Sequence, residues 1–169
     1  MEKVTDTFYL YKSLKLQYHG HLAGFDLDST IIRPAKGKFP KTSYDIILLP
    51  NRIQILTNLQ NNGWTIVIVT NQKVATRYTL KFRLEYLNYM INLLESHDIH
   101  PIVLASLADD QYRKPNIGMW THLIKDSLVY SAFYVGDAAG RPNDFSDSDK
   151  EFAANLGIKF YTPEEIFGQ

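Results

Sequence analysis

The sequence contains no cysteine, which excludes disulfide bonds, a cysteine nucleophile and a zinc site with cysteine ligands. It also lacks a secretory signal segment and any apolar run near the roughly 20 residues that cross a membrane. Positive and negative side chains balance to a formal net charge of zero, so any basic surface must be local. We therefore expect an intracellular, soluble protein without membrane contacts, nuclear if the cell is eukaryotic and otherwise cytoplasmic.

A second absence concerns nucleotide binding. The Gly-x₄-Gly-Lys-[Ser/Thr] pattern of P-loop kinases does not occur, so we expect no kinase domain. Of the 169 residues, 45% are hydrophobic and 21% are charged, a balance typical of a globular protein with a real core. We expect residues 1–169 to form one domain.

The chain does contain two aspartates directly after an apolar stretch. Residues 22–25 lead into Asp26-Leu27-Asp28, a pattern that predicts a buried strand ending in two carboxylates. Side chains alternate along a strand, so Asp26 and Asp28 point the same way while Leu27 turns into the core. Carboxylates about 7 Å apart along the backbone repel each other, and a divalent cation would offset that repulsion. For this pair taken alone, a solvated strand end followed by a turn is an equally good interpretation.

The rest of the chain alternates between strand and helix patterns. Strands are predicted at 64–70, 101–107, 132–135 and 159–161, with a short strand at 8–11 beside the aspartate strand. Helices are predicted after Pro50, through residues 80–94, around Trp120, and after Ser146, which forms a capping box with Asp149. This alternation predicts an α/β fold, doubly wound around a mainly parallel, Rossmann-like sheet.

Polar side chains follow four of these strands. In chain order they are Asp26 and Asp28, then Thr70, then Lys114, then Asp137 with Asp144. Parallel strands place all four ends at one edge of the sheet, where ligands bind in such folds. A carboxylate can attack phosphorus, a second can transfer protons, hydroxyl and ammonium groups can hold phosphoryl oxygens, and further acids can hold Mg²⁺. The set therefore indicates phosphoryl transfer.

A locally basic segment follows the aspartate pair. Proline and glycine at 34, 37 and 40 argue against a helix, so residues 29–45 are predicted to form a turn and a small flap. The basic side chains of this segment are Arg33, Lys36, Lys38 and Lys41, which suit contacts with nucleic-acid phosphates as well as plain solubility. The segments between the polar strand ends are too short for a large cap domain, so we expect an open site that admits a polymer end.

Four short motifs resemble those of the haloacid dehalogenase superfamily of phosphatases. They are Asp-Leu-Asp-Ser-Thr from Asp26, Val-Thr-Asn-Gln from Val69, Arg-Lys-Pro from Arg113 and Gly-Asp at 136–137. In their longer forms they are similar to the phosphatase domain of polynucleotide kinase 3′-phosphatases, and Gly-Asp-Ala-Ala-Gly-Arg-Pro at 136–142 is the most specific of them. The resemblance covers residues 20–167.

The resemblance implies roles for the matching residues. Asp26 would be the nucleophile and a Mg²⁺ ligand, and Asp28 the general acid and base, binding the metal through its main-chain carbonyl. The phosphoryl group would be bound by Thr70 and Lys114, and the metal by Asp137 with support from Asp144. The substrate-binding candidates are Asn71, Arg77, Arg33 and Arg113. The chain departs from the family at Ser29, where glycine is usual, and at 73–78, which lacks the usual glycines.

The implied function is a Mg²⁺-dependent polynucleotide 3′-phosphatase that acts on DNA ends through an aspartyl-phosphate, in DNA end processing and repair. Its partners would be DNA with 3′-phosphate ends and a separate kinase or repair proteins. One alternative is a phosphatase of sugar or histidinol phosphates, although such relatives often carry a Cys-His zinc loop that is absent here. The others are a phospho-receiver module, for which Asp137 is a poor acceptor, and an inactive DNA-end binder, against which the filled catalytic positions argue.

Overall fold

The structure, a computed structural model, describes residues 1–168. The strands are β1 (Glu2–Thr5), β2 (Phe8–Lys12), β3 (His21–Phe25), β4 (Ile32–Pro34), β5 (Ile46–Leu48), β6 (Trp64–Asn71), β7 (Ile102–Ser106), β8 (Ser131–Val135) and β9 (Lys159–Tyr161). The helices are α1 (Arg52–Asn61), α2 (Arg77–Glu95), α3 (Gly118–Ile124), α4 (Ser148–Leu156) and α5 (Pro163–Phe167). Within residues 1–168, no helix combines the length and apolar character that a membrane span requires.

The main sheet has the strand order β1-β2-β7-β6-β3-β8-β9. Its central strand β3 is parallel to both neighbours, because Ala23 pairs with Ile66 on β6 and with Phe133 on β8. The strands β7 and β9 continue the parallel part, whereas β2 and β1 form an antiparallel edge. The predicted mainly parallel α/β sheet is confirmed.

The prediction that the strand at 8–11 lies beside the aspartate strand is wrong. β2 exists, but it pairs with β7, where Tyr9 lies opposite Ala105. Both sides of β3 are taken by β6 and β8, so an added strand can pair only at an outer edge of the sheet, and β2 pairs at the outer edge of β7. Closeness in sequence to the aspartate strand therefore did not predict pairing with it.

Apolar side chains pack on both faces of the sheet. On one face Phe25 belongs to a cluster with Leu56 of α1 and Leu87 of α2. On the other face Leu22 packs in a cluster with Trp120 of α3 and Phe152 of α4. Alternation along β3 explains this division, and it makes the sheet doubly wound.

The helix ends show two differences from the sequence prediction. α1 begins at Arg52, so Pro50 lies before the helix and not in its first turn. The capping box at α4 is wrong, because the helix begins at Ser148 after Asp147. Asp149 lies in the first turn, but its side chain is buried and contacts the site described below.

The predicted flap is a hairpin of β4 and β5, in which Ile32 lies opposite Leu48. It rests against α2, since the Ser43 hydroxyl donates to Glu85 at 3.4 Å and the rings of Tyr44 and Tyr89 lie 6.3 Å apart. In the described chain, this small hairpin is the insertion that follows the aspartate pair, as expected of a site without a large cap.

Candidate active site

The predicted chemical groups meet at the carboxyl-terminal edge of the parallel strands. Asp26 directly follows β3, and its N–H donates to the carbonyl of Val135 at 2.9 Å. Asp137 follows β8 and Lys114 lies in the loop after β7. These three side chains, together with Asp28, line an open cavity of about 490 Å³. The sheet thus brings together residues that are up to 111 positions apart in sequence, as between Asp26 and Asp137.

Lys114 is the buried cation of the site, with 3% of its surface exposed. Its ammonium donates to Asp26 at 2.7 Å, to Asp149 at 2.9 Å and to the Tyr134 hydroxyl at 2.7 Å. These contacts use all three of its hydrogens. Burial by itself would lower the pKa of Lys114, but the charges of Asp149 and Asp26 outweigh burial and raise it. Lys114 therefore stays charged beside the predicted nucleophile.

Asn71 contacts the backbone of Lys114. Its side-chain oxygen accepts from the Lys114 N–H at 2.9 Å, and its side-chain nitrogen donates to the Lys114 carbonyl at 3.1 Å. The amide therefore fixes the backbone of Lys114, although Asn71 also lines the cavity. Its predicted contact with substrate stays a prediction.

Three carboxylates form a cluster around the ammonium. Oxygens of Asp26, Asp137 and Asp149 lie within 4.8 Å of one another. Burial and the charge of Asp149 raise the pKa of Asp26 well above its ordinary value, although Lys114 opposes the shift. Burial likewise raises the pKa of Asp137. The cluster therefore holds more negative charge than one lysine balances.

The sequence predicted Asp149 only as part of a helix cap, whereas the structure places it in the site. Besides Lys114, its carboxylate accepts from the Ala138 N–H at 3.0 Å, which ties α4 to the loop after β8. The fit is tight, because a Cβ added at Gly136 would lie 2.3 Å from Asp149 Cγ. Aspartates stand close together in sequence at 144, 147 and 149, and nothing in the sequence shows which of them turns inward.

The structure does not bring Asp144 into the cluster. Its carboxylate accepts from the N–H groups of Ala139 and Arg141, both at 3.1 Å, and from Arg141 Nε at 2.9 Å. The hydrogen bond from the Arg141 side chain lowers the pKa of Asp144. Arg141 also donates to the Asp137 carbonyl at 3.2 Å. Asp144 thus supports the loop that carries Asp137, while Asp149 is the third carboxylate of the cluster. The metal-binding role of Asp144 stays a prediction.

Asp28, in contrast, is exposed to the cavity and is held by two donors. Gln72 Nε2 donates to Asp28 Oδ2 at 2.7 Å and to Thr70 Oγ1 at 2.8 Å. The Tyr86 hydroxyl donates to Asp28 Oδ1. Thr70 is 1% exposed and accepts from Gln72, which leaves its own hydroxyl hydrogen for another acceptor. Neither Gln72 nor Tyr86 was singled out from the sequence.

Of the predicted basic substrate contacts, only Arg113 lies at the cavity. Arg113 lines the cavity and its Nε lies 2.9 Å from Asp109 Oδ1, while Asp109 also pairs with Lys73. Arg77, at the first residue of α2, and Arg33, on β4, are exposed and do not line the cavity. Their roles stay predictions.

A larger cavity, of about 840 Å³, lies at the opposite end of the sheet, near the start of β6. Its lining includes Thr65, Asp98 and His100. Among residues 1–168, the only group of three or more acidic or histidine side chains close enough to share a metal ion is the Asp26 cluster. The position of the acidic side chains therefore favours the smaller cavity as the active site.

The Asp26 cluster suits a magnesium ion. Its donors are all oxygens, which Mg²⁺ prefers. Burial, together with the charge of Asp149, raises the pKa values of Asp26 and Asp137, and a divalent cation would offset the cost of their negative charges. The residues that would hold the ion are Asp26 and Asp137. Both oxygens of Asp149 already accept hydrogen bonds, from Lys114 and from Ala138, so Asp149 would orient its neighbours.

The sheet order and the acidic edge define a haloacid dehalogenase-like fold. A protein from Mesorhizobium loti described as a HAD-like phosphatase has a TM-score of 0.72 at 20% identity, over 92% of this chain and 78% of its own. The D,D-heptose 1,7-bisphosphate phosphatase of B. bronchiseptica, complexed with magnesium and phosphate, has a TM-score of 0.64 at 20% identity, over 88% and 86% of the two chains. At such identities the likeness establishes the fold.

The family follows from the sequence comparison. The family model described as polynucleotide kinase 3 phosphatase matches residues 21–167, and the chain belongs to that family. A polynucleotide 3′-phosphatase of Saccharomyces cerevisiae is 66% identical, over 67% of this chain and 65% of the relative. A bifunctional polynucleotide phosphatase/kinase of Schizosaccharomyces pombe is 35% identical over 97% of this chain. The chain spans only 41% of the length of that second relative.

Proposed function

We propose that this chain is a Mg²⁺-dependent phosphatase that removes the 3′-phosphate from DNA ends and leaves a 3′-hydroxyl for repair. The observation that carries the proposal is the Asp26 carboxylate, which lies 2.7 Å from a buried ammonium in an open cavity. The family match and the names of the relatives support the nucleic-acid substrate. The name of the S. pombe relative, a bifunctional polynucleotide phosphatase/kinase, also supports a polynucleotide kinase activity as a functional partner.

In the proposed reaction Asp26 attacks phosphorus and the bond between phosphorus and the 3′-oxygen breaks. Asp28 gives its proton to that oxygen, which releases the 3′-hydroxyl and leaves a phosphoryl group on Asp26. Asp28 then takes a proton from a water molecule that attacks the same phosphorus. The bond between phosphorus and the Asp26 oxygen breaks, so inorganic phosphate leaves and the Asp26 carboxylate is restored. Proton transfer of this kind contributes about 10²–10⁴-fold to the rate.

The remaining groups bind and orient. Lys114 and the free hydroxyl hydrogen of Thr70 are placed to hold phosphoryl oxygens, with one oxygen replacing a present acceptor of the ammonium. A bound Mg²⁺ ion would neutralise part of the phosphate charge. Asn71 positions Lys114 by accepting a hydrogen bond from its backbone. Asp144 positions Asp137 by accepting a hydrogen bond from the loop that carries it.

Metal dependence is the first test. We expect activity to require Mg²⁺ and to disappear in EDTA, and we expect Mg²⁺ to raise the melting temperature because it offsets the repulsion in the cluster. At a concentration of 100 times the dissociation constant, binding stabilises the fold by about 2.7 kcal/mol. Thermal unfolding with and without Mg²⁺ measures this apart from catalysis.

Two aspartates provide a matched comparison in the same experiment. Asp137→Asn should lose most of the Mg²⁺-induced shift, because its oxygen belongs to the cluster. Asp144→Asn should keep it, because that carboxylate contacts Arg141. A shift lost with Asp144→Asn and kept with Asp137→Asn would contradict the proposed ligand set, and stoichiometric zinc in the purified protein would contradict the choice of metal.

Substrate class is tested with a phosphate-release panel of 3′-phosphorylated oligonucleotides, 5′-phosphorylated oligonucleotides and sugar phosphates. We expect the 3′-phosphorylated DNA to have the highest kcat/KM, because an open cavity admits a polymer end. Faster turnover of a sugar phosphate would favour a small-molecule phosphatase of the same fold.

The flap is expected to bind the strand that carries the scissile phosphate. Changing Arg33, Lys36 and Lys38 together to Ala should raise KM for oligonucleotides about tenfold. The slope of the logarithm of the oligonucleotide binding constant against the logarithm of the salt concentration should become less steep by about 0.7 for each lost phosphate contact. Hydrolysis of a small aryl phosphate should not change, because that ester does not reach the flap.

The control for this variant removes equal charge elsewhere. Lys15, Lys125 and Lys159 are exposed and lie outside the cavity lining, so their joint change to Ala should leave both substrates unaffected. Equal losses on oligonucleotide and aryl phosphate in the flap variant would show that the flap only supports the fold.

A further inference from the structure

Two uncharged side chains hold the carboxyl group of Asp28, one at each of its oxygens. The Tyr86 hydroxyl donates to Oδ1, and Gln72 Nε2 donates to Oδ2 at 2.7 Å. Each carboxylate oxygen accepts in two directions, so one direction on each stays free. Asp28 itself lines the cavity, where the free directions can meet a substrate.

Tyr86 is built into the core for this contact. It lies on α2, is 1% exposed and stacks on Phe82 with ring centres 6.2 Å apart. A buried hydroxyl needs a partner, and an apolar phenylalanine would fill the same space without one. The position therefore carries a hydroxyl that donates to the carboxyl group of Asp28.

We propose that Tyr86 is the positioning residue for proton transfer by Asp28, an inference that rests on the proposed function. Its hydroxyl, opposite the amide of Gln72, holds the carboxyl plane so that the proton reaches the leaving 3′-oxygen as the bond to phosphorus breaks. Without the hydroxyl, Asp28 is held at one oxygen only and adopts several orientations. The need for Tyr86 therefore grows with the basicity of the leaving oxygen, since a poor leaving group cannot depart unprotonated.

The experiment compares two aryl phosphates of nearly equal size, phenyl phosphate and p-nitrophenyl phosphate. Phenol is the poorer leaving group and needs the proton, whereas nitrophenolate does not. For Tyr86→Phe we expect kcat/KM to fall about 10–100-fold with phenyl phosphate, part of the usual contribution of proton transfer, and less than about threefold with p-nitrophenyl phosphate. The ratio kcat/KM is used because it reports the step that releases the leaving group and not the later hydrolysis of the aspartyl-phosphate.

Tyr89→Phe is the matched control. Tyr89 lies on the same helix, its ring lies beside that of Tyr44, and 39% of the residue's surface is exposed. Tyr89→Phe should have the wild-type kcat/KM with both aryl phosphates. The melting temperatures of both variants show that the fold is retained.

A second arm uses Asp28→Ala. Adding Tyr86→Phe to Asp28→Ala should lower phenyl phosphate hydrolysis no further, because there is no carboxyl group left to position. Multiplied losses in the double variant, or equal losses on the two aryl phosphates in the single variant, would overturn the positioning role. If the wild-type protein hydrolyses neither ester nor the 3′-phosphorylated oligonucleotide, the proposed function itself fails, a result that is distinct from any difference between variants.

Discussion

Asp26→Asn is expected to remove the phosphatase activity almost completely while the protein stays folded. An amide is a poor nucleophile towards phosphorus, and the uncatalysed hydrolysis of phosphate monoesters is so slow that enzymes accelerate it up to ~10²¹-fold. We expect a loss of about 10⁴-fold or more in kcat, measured as phosphate release from a 3′-phosphorylated oligonucleotide. In the absence of metal, the melting temperature should not fall. Burial and Asp149 already raise the pKa of Asp26, so removing its charge relieves repulsion.

The control is Asp147→Asn, which makes the same chemical change nearby. Asp147 is exposed, and its side chain makes no capping hydrogen bond at α4, so this variant should have wild-type activity. A wild-type sample quenched in acid during turnover should carry one phosphoryl group on the peptide that contains Asp26. Retention of a tenth of the wild-type rate by Asp26→Asn would end the covalent mechanism.

The fold was largely predictable because its signals are local. A continuous β-branched run predicted β6, and leucines spaced by three and four predicted α2. The position of Asp26, Thr70 and Lys114 at one sheet edge followed from parallel topology alone. Pairing was less predictable, as β2 shows, because an edge strand is selected by which strands remain unpaired.

The contacts within the site were not predictable in the same way. Asp144, Asp147 and Asp149 are chemically alike, and only the packing of α4 against Gly136 decides that Asp149 reaches Lys114. Tyr86 lies between leucines in an amphipathic pattern, where a tyrosine gives no sign that its hydroxyl reaches Asp28. The backbone of Ser29 was not predictable either. Its φ of 65° lies in the left-handed region that favours glycine. The sequence showed only that a serine stands where the family usually has glycine.

The electrostatics of the cluster lead to the second large effect. Lys114→Met keeps most of the side-chain volume but removes the one buried cation among Asp26, Asp137 and Asp149. Breaking a buried ion pair by removing one partner costs about 3–5 kcal/mol. We therefore expect Lys114→Met to lower the free energy of unfolding by about that amount at neutral pH without Mg²⁺. Urea unfolding measures it. Mg²⁺ should stabilise this variant more than the wild type, because it replaces part of the missing charge.

The loss should also depend on pH, with a sign that follows from the raised pKa values of Asp26 and Asp137. A carboxyl group with a raised pKa in the fold binds protons more tightly there than in the unfolded chain, so stability falls as pH rises through that pKa. Removing the ammonium raises both pKa values further, and the destabilisation should therefore be larger at pH 8 than at pH 5. Lys73→Met is the matched control, because Lys73 also pairs with an aspartate, Asp109, but at the surface, where such pairs contribute about 0–1 kcal/mol. An equal loss at pH 5 and pH 8 in Lys114→Met would mean that packing, and not the balance of charge, makes Lys114 necessary.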